Sequence, residues 1–349
     1  MSDTLTIIRP DDWHLHLRDG PALRAVVGDS AKQFARAVIM PNLKPPVTTV
    51  ALALAYRDRI TTALSEAGVA PGAFTPLMTL YLTDNTSADE IDRAHESGAV
   101  VAVKLYPAGA TTNSDAGVSD LLGCCGAVIE RMQRVGMPLL IHGEVADPAV
   151  DVFDREAVFI ERVMKPLRKA YPELRVVFEH LTTKDGVEYV RDAQGPVAAT
   201  ITAQHLLYNR NAIFQGGVRP HWYCLPILKR EVHRQALVEA ATGDSPRFFL
   251  GTDSAPHARG LKENACGCAG CYTALHAMEL YTTAFDRAGR LDRLEAFASL
   301  RGPDFYRLPR NTTRVTLRRE AYGIPHEVPY GDDTLVPLAA GESLGWRLV

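Results

Sequence analysis

The chain has 349 residues, 46% of them hydrophobic and 23% charged; this is a globular composition with enough apolar material for a large core, and it excludes a fibrous or low-complexity protein. Its 38 basic and 41 acidic residues leave a formal charge of −3, so neither a nucleic-acid footprint nor a polybasic membrane surface is indicated. The start, Met1-Ser2-Asp3-Thr4, lacks a secretory pattern, and no apolar run approaches the roughly 18 residues of a membrane span. With only six cysteines in so long a chain, a reduced, cytoplasmic setting is the expectation.

Leu5–Ile8 is a short β-rich run that leads into Trp13-His14-Leu15-His16-Leu17-Arg18-Asp19. On a strand, residues i and i+2 share a face, so His14, His16 and Arg18 are expected to point to one side. Further apolar runs are Ala35–Pro41, Phe74–Leu82, Val100–Pro107, Met137–His142, Arg175–His180, Val197–Thr202 and Arg247–Asp253. Between them Val47–Ala67, Ser87–Gly98, Asp120–Gly136, Arg155–Tyr171, Lys184–Asp192 and Lys229–Thr242 read as helices. Ser87-Ala-Asp-Glu90 is a capping-box pattern, and Gly98 is a helix stop. Asn209–Arg230 reads as a long loop, and Asn311–Val349, with Pro325, Pro329 and Pro337, as an extended tail packed on the rest.

Near-continuous apolar strands alternating with helices predict an α/β fold with a parallel sheet. Eight such units predict a closed (β/α)8 TIM-type barrel, one domain over residues 1–349 with 311–349 as its tail. A doubly wound sheet would more often carry a Gly-rich phosphate loop after its first strand, where this chain has His14-x-His16.

The polar residues recur at one place in each unit. Lys104 is near the end of the fourth strand, His142 ends the fifth, His180 the sixth and Asp253 the eighth. The carboxyl ends of barrel strands form the mouth, so these residues should converge with His14 and His16. Taken singly, each has an ordinary reading. His-x-His can be a surface pair, Lys104 a snorkelling lysine and Asp253 a turn residue. It is their joint placement, in barrel order, that points to a metal centre. Four imidazoles and a carboxylate exceed the needs of one tetrahedral zinc and suit two metals sharing a bridge. An ammonium, with a pKa of about 10.4 and no lone pair, cannot ligate. An N-carboxylated Lys104, a carbamate with two oxygens, resolves that.

With these residues in view, the chain resembles the amidohydrolase superfamily, and within it the short, single-function dihydroorotases. The resemblance is carried by Asp12-Trp13-His14-Leu15-His16-Leu17-Arg18-Asp19, Met40-Pro41-Asn42-Leu43, Val103-Lys104-Leu105-Tyr106-Pro107, Ala110-Thr111-Thr112-Asn113-Ser114, Ile141-His142-Gly143-Glu144, Phe178-Glu179-His180, Cys224-Leu225-Pro226-Ile227-Leu228-Lys229 and Gly251-Thr252-Asp253-Ser254-Ala255-Pro256-His257.

The resemblance implies two Zn2+ per chain. His14, His16 and Asp253 would hold the more buried ion and His142 and His180 the second, with N6-carboxylated Lys104 and a hydroxide between them. Arg18, Asn42 and His257 would bind a substrate carboxylate, backbone groups near Leu225 and Ala269 a pyrimidine edge, and Thr111 and Thr112 would sit on a loop over the substrate. Arg18 suits that role on its own chemistry, because a guanidinium pairs with a carboxylate in a fork geometry. Asn42 by itself reads as a turn residue after Pro41. The implied reaction is reversible closure of N-carbamoyl-L-aspartate to L-dihydroorotate, with Asp253 as the catalytic proton carrier and a homodimer as the assembly.

Two other readings stay open. One is a related cyclic amidohydrolase of the hydantoinase, dihydropyrimidinase or allantoinase type. The other is a non-catalytic scaffold relative, although such relatives usually lose ligands that are all present here. Cys266-Gly-Cys268-Ala-Gly-Cys271 invites a cluster reading, but three thiols lack an obvious fourth ligand; a glycine-rich loop beside the mouth is the expectation.

Overall fold

The computed structural model describes residues 3–265 and 267–349. Its centre is an eight-stranded parallel sheet: β1 Asp11–Leu15, β2 Arg36–Ile39, β3 Thr75–Tyr81, β4 Val100–Leu105, β5 Leu139–Ile141, β6 Val176–Phe178, β7 Val197–Ile201 and β8 Phe248–Leu250. Each strand pairs with its sequence neighbour. The ring closes just beyond β8, where the Asp253 N–H donates to His14 O (2.9 Å) and the His16 N–H to Ser254 O (3.1 Å). This is the expected (β/α)8 barrel.

Both faces of the strands are buried, which is why they read as near-continuous apolar runs. Trp13, Val38, Ala102, Leu140, Val177, Ala198 and Phe249 fill the interior. Their neighbours, such as Ile39, Val103, Ile141, Phe178 and Leu250, face the surrounding helices. Tyr306, from the helix Arg301–Tyr306, stacks on Trp13 at 4.4 Å and plugs the amino-terminal end. Gly302 permits that approach, since a Cβ there would lie 1.9 Å from the indole nitrogen. With the base filled, only the carboxyl-terminal mouth is left for polar chemistry.

The helices follow their local signals. Ser87 caps Ala88–Ser97 by accepting from the Glu90 N–H, and Gly98 ends it in the left-handed conformation (φ 61°). Lys184–Asp192 forms as read, and Val50–Glu66 and Glu231–Thr242 nearly so. Asp120–Gly136 instead breaks at Cys125 into Leu121–Cys124 and Gly126–Val135. Several helices escape the sequence reading, and the two longest are instructive. Gly20–Gln33 begins with Gly-Pro, which reads as a turn, although Asp19 caps it and Pro21 suits its first turn. Ala277–Arg287 follows the Gly/Cys-rich segment and is hidden by it. Asn209–Arg230 carries short 3-10 turns at Arg210–Ile213 and Pro220–Trp222.

Leu5–Ile8 does not feed straight into the barrel. Thr4–Ile8 pairs antiparallel with Arg314–Gly323, which pairs in turn with Ser343–Leu348. The tail is tied to helix Ala277–Arg287 by Asp286, which takes two bonds from Arg319 (2.7 and 2.8 Å) and one from Trp346 Nε1 (3.1 Å). Among the described residues no helix is long and apolar enough to cross a membrane.

Candidate active site

The mouth is assembled from strand ends. A register irregularity between Asp12 and Leu15 turns His14 inward together with Trp13, although adjacent strand residues ordinarily face opposite ways. The carboxylate of Asp12 holds this bend, accepting from the His14 N–H (3.1 Å), the Thr252 N–H (2.9 Å) and the Thr252 hydroxyl (2.6 Å). His180 and Asp253 lie just past β6 and β8 at φ 40° and 45°. Left-handed backbone at non-glycine residues is a strain that surrounding contacts must hold, and it aims both side chains into the mouth. At Gly251 a Cβ would stand 2.7 Å from Thr200 Cβ and 3.2 Å from His14 Cβ, so a glycine is required for this packing.

His14 Nε2 and His16 Nε2 lie 3.5 and 3.1 Å from Asp253 Oδ1. Ligating atoms of these three buried residues all fall within 4.8 Å of one another, as one metal ion requires. Opposite them, His142 Nδ1 and His180 Nε2 are 3.2 Å apart. Three of the four rings have an acceptor on the outer nitrogen. Glu179 Oε2 lies 2.9 Å from His14 Nδ1, Asn42 Oδ1 2.8 Å from His16 Nδ1, and Glu144 Oε2 3.0 Å from His142 Nε2. Each places the hydrogen outward and leaves a bare lone pair facing in, the usual support for a metal-bound histidine. Burial lowers the pKa of His14, His16 and His180, so these rings are neutral.

Lys104 Nζ is buried among them without a hydrogen-bond partner. Burial lowers its pKa to about 8, against the pull of Glu179 and Asp253. Burial works to raise Asp253, but the hydrogen bond from His16 and the electrostatic influence of the neighbouring His14, His16 and Lys104 outweigh it and hold the carboxyl at about 2. Inward lone pairs, one carboxylate and an orphaned amine form a donor set that fits metal ions, with the amine as the misfit that carboxylation would cure.

The other wall of the cavity comes from loops. Arg18, Asn42, Thr111, Thr112, Leu225 and Ala269 line it together with His14, His16, His142, His180 and Asp253. Arg18 does not arrive by strand parity. β1 ends at Leu15, and Arg18 has φ 60°, its carbonyl held by the Tyr56 hydroxyl at 2.6 Å. Its Nε donates to Pro256 O (3.1 Å), and Nη2 lies 3.0 Å from His257 Nε2. The same His257 nitrogen is 3.1 Å from Ala269 O, so it can accept from Arg18 or donate to Ala269, one at a time. Burial, with Arg18 beside it, drives the His257 pKa down to about 2. Among the described residues no carboxylate forms an ion pair with Arg18. Asn42 is engaged twice, with its Oδ1 at His16 and its Nδ2 donating to Thr112 O (3.2 Å). The Thr112 hydroxyl donates to Ala269 O (3.3 Å), so the Thr111-Thr112 loop lies across the mouth.

The Amidohydrolase family matches residues 5–321. A dihydroorotase of Cupriavidus necator is 72% identical over 347 residues, 99% of either chain. The chain belongs to the dihydroorotase family of amidohydrolases. The structure of the Campylobacter jejuni dihydroorotase superposes with a TM-score of 0.90 at 34% identity, covering 100% of this chain and 98% of that one. That of the Saccharomyces cerevisiae dihydroorotase in complex with 5-fluoroorotic acid does so with 0.90 at 29%, covering 100% and 99%. The family is metal-dependent, and this dihydroorotase-family chain carries a donor set suited to it.

Some supporting residues escaped the sequence reading. Glu144 and Glu179 anchor rings, and Thr200 holds Glu179 through a 2.5 Å hydrogen bond. Both carboxylates stand within two residues of a site histidine in sequence, in His142-Gly-Glu144 and Glu179-His180, which was a usable signal. In the cysteine-rich stretch Cys266 lies outside the described residues, while Cys271 Sγ donates to His221 O at 3.4 Å. Ala269 and Gly270 line the cavity, as a glycine-rich loop beside the mouth should. Among the described residues the one cluster of three metal-type donors is His14, His16 and Asp253.

Proposed function

We propose that this member of the dihydroorotase family interconverts N-carbamoyl-L-aspartate with L-dihydroorotate and water, a step of de novo pyrimidine (UMP) synthesis. The observation that carries this reading is Arg18: a guanidinium without a carboxylate partner, set into the same cavity as the histidine–aspartate cluster. A cation so placed calls for an anionic group on the substrate.

His14, His16 and Asp253 would hold one zinc, and His142 and His180 the other. N6-carboxylated Lys104 would supply carboxylate-type oxygen to the pair, a role that its free amine cannot fill. Such ions supply a polarising charge and an acidified water. Arg18, with His257 and Asn42, fixes the substrate's α-carboxylate and so sets which ring atom faces Asp253. In hydrolysis Asp253 takes a proton from the attacking water and delivers it to the departing ring nitrogen. In cyclisation the same carboxylate takes that proton from the ureido nitrogen. Backbone groups of Leu225 and Ala269 pair with the remaining amide edge. Thr111 and Thr112 close the mouth and exclude bulk water.

The hydantoinase-type alternative leaves Arg18 facing a ring without an acid, an unpaired buried charge. The scaffold alternative leaves the complete donor set without a use. Whole-chain function as one unit, with residues 311–349 packed on the barrel, a homodimeric state and a cytoplasmic location belong to the same reading; light scattering reads the assembly. The deciding experiment assays both directions with and without chelator, alongside elemental analysis. Turnover that chelator abolishes and zinc restores, at near two zincs per chain, is expected. Turnover of hydantoin but not of dihydroorotate would overturn the reading.

A further inference from the structure

Tyr106 follows Lys104 by two residues, and the parity that turns Lys104 into the barrel turns Tyr106 to the same side, further out toward the mouth. It lines the cavity, yet neither metal binding nor carboxylate binding uses it. Its hydroxyl is buried and has no hydrogen-bond partner. Buried hydroxyls are ordinarily paired, so an unpaired one that borders a site is a donor awaiting a ligand.

The ring is firmly held. It stacks on Tyr81 at 5.1 Å and 30°, lies 6.3 Å from the His142 ring, and has Lys104 Nζ 5.0 Å from its centroid. Tyr81 is itself tied to the mouth loop, its hydroxyl donating to Asn113 O at 3.3 Å. These contacts hold the Tyr106 hydroxyl in place at the edge of the cavity.

Its position around the barrel gives it a task. Arg18 and His257 stand at the ends of β1 and β8, whereas Tyr106 and His142 stand at the ends of β4 and β5, across the barrel. A substrate held by its acid at the first side extends its reacting carbonyl over the metal-type donors toward the second.

We propose that the Tyr106 hydroxyl donates a hydrogen bond to the oxygen of the carbonyl under attack, and so stabilises the charge that develops there; this rests on the dihydroorotase reading above. The phenol keeps its proton throughout. As the new bond forms at carbon, the carbonyl π pair moves onto oxygen and the hydrogen bond strengthens. The pair returns when the carbon–nitrogen bond breaks, and the proton transferred to nitrogen is still the one that Asp253 carries. A donor aimed at developing charge acts in the transition state more than in the ground state.

The test is Tyr106→Phe, which removes one oxygen and keeps the stacked ring. Expected is a fall in kcat of roughly 100-fold in both directions, the scale for loss of one such donor. KM, zinc content and the affinity for 5-fluoroorotate should stay within about threefold of the wild type, because these read ground-state binding. Activity within about twofold of the wild type overturns the proposal. So does a kcat loss matched by an equal loss of zinc, which makes Tyr106 a support of the metal wall, or a loss confined to KM and 5-fluoroorotate affinity. A misfolded variant is recognised by thermal melting, in which case Tyr106→Met, also without the hydroxyl, must give the same kcat loss. Wild-type turnover of dihydroorotate, measured alongside, tests the underlying reading separately.

Discussion

The two walls of the mouth are built on different principles. On the metal wall the site residues stand on or just beyond strand ends, most of the rings carry an anchored outer nitrogen, and backbone bonds fix their height. On the substrate wall Thr111, Thr112, Leu225 and Ala269 come from loops, and their contacts run mostly to one another's backbone. Asn42 lies between, tied to His16 on one side and to Thr112 on the other, while Arg18 is held by Pro256 and His257. The contrast teaches where rigidity is needed. Ligand geometry tolerates little drift, so it is placed on the sheet, whereas recognition must admit and release a substrate, so it is placed on loops.

That separation can be broken by mutation. The largest effect should come from Lys104→Ala. Turnover should fall by more than about 1,000-fold, and elemental analysis should find the zinc content well below the wild-type value, since the ligand proposed to be shared by both ions is lost. Asp253→Asn should lower turnover by about 1,000-fold in both directions while most of the metal stays bound; near-normal turnover in that variant removes the proton-carrying role. Glu144→Leu releases the outer nitrogen of His142 and should weaken metal affinity roughly 10–100-fold in a competition titration. Arg18→Met sharpens the comparison from the other side. It should lower kcat/KM for N-carbamoyl-L-aspartate about 10–100-fold, chiefly through KM, with metal content unchanged. If zinc falls with it, the two walls are one structure and the contrast fails.

The smallest effect serves as a control outside both walls. In Asp286 the hydrogen bonds from Arg319, and then from Trp346, hold the carboxyl below its ordinary value against its burial. A depressed value stabilises the fold above the unfolded carboxyl's pKa, about 3.9, and that contribution is lost as the pH falls through the folded value. Asp286→Asn should therefore melt a few degrees lower than the wild type at neutral pH. The gap should narrow as the solution is acidified, with KM and zinc content unaffected.

Much of this was legible in the sequence. Eight apolar runs alternating with helices specified the barrel, because strands buried on both faces cannot alternate with polar residues. Once the barrel is granted, residues as distant as His14, Lys104, His142, His180 and Asp253 must share a mouth, since every strand's carboxyl end opens there. Three things were decided only by the tertiary structure. His14 faces inward through an irregularity held by Asp12 and Thr252, a contact between residues 240 positions apart. Arg18 reaches the cavity through left-handed backbone fixed by Tyr56, where strand parity had suggested a simpler route. Thr4–Ile8, by its pattern a plausible approach to the barrel, pairs with the tail instead, because a short strand takes the edge that the closed chain offers it. Local pattern sets which face of an element is apolar, but the bends that aim a single side chain depend on partners far along the chain.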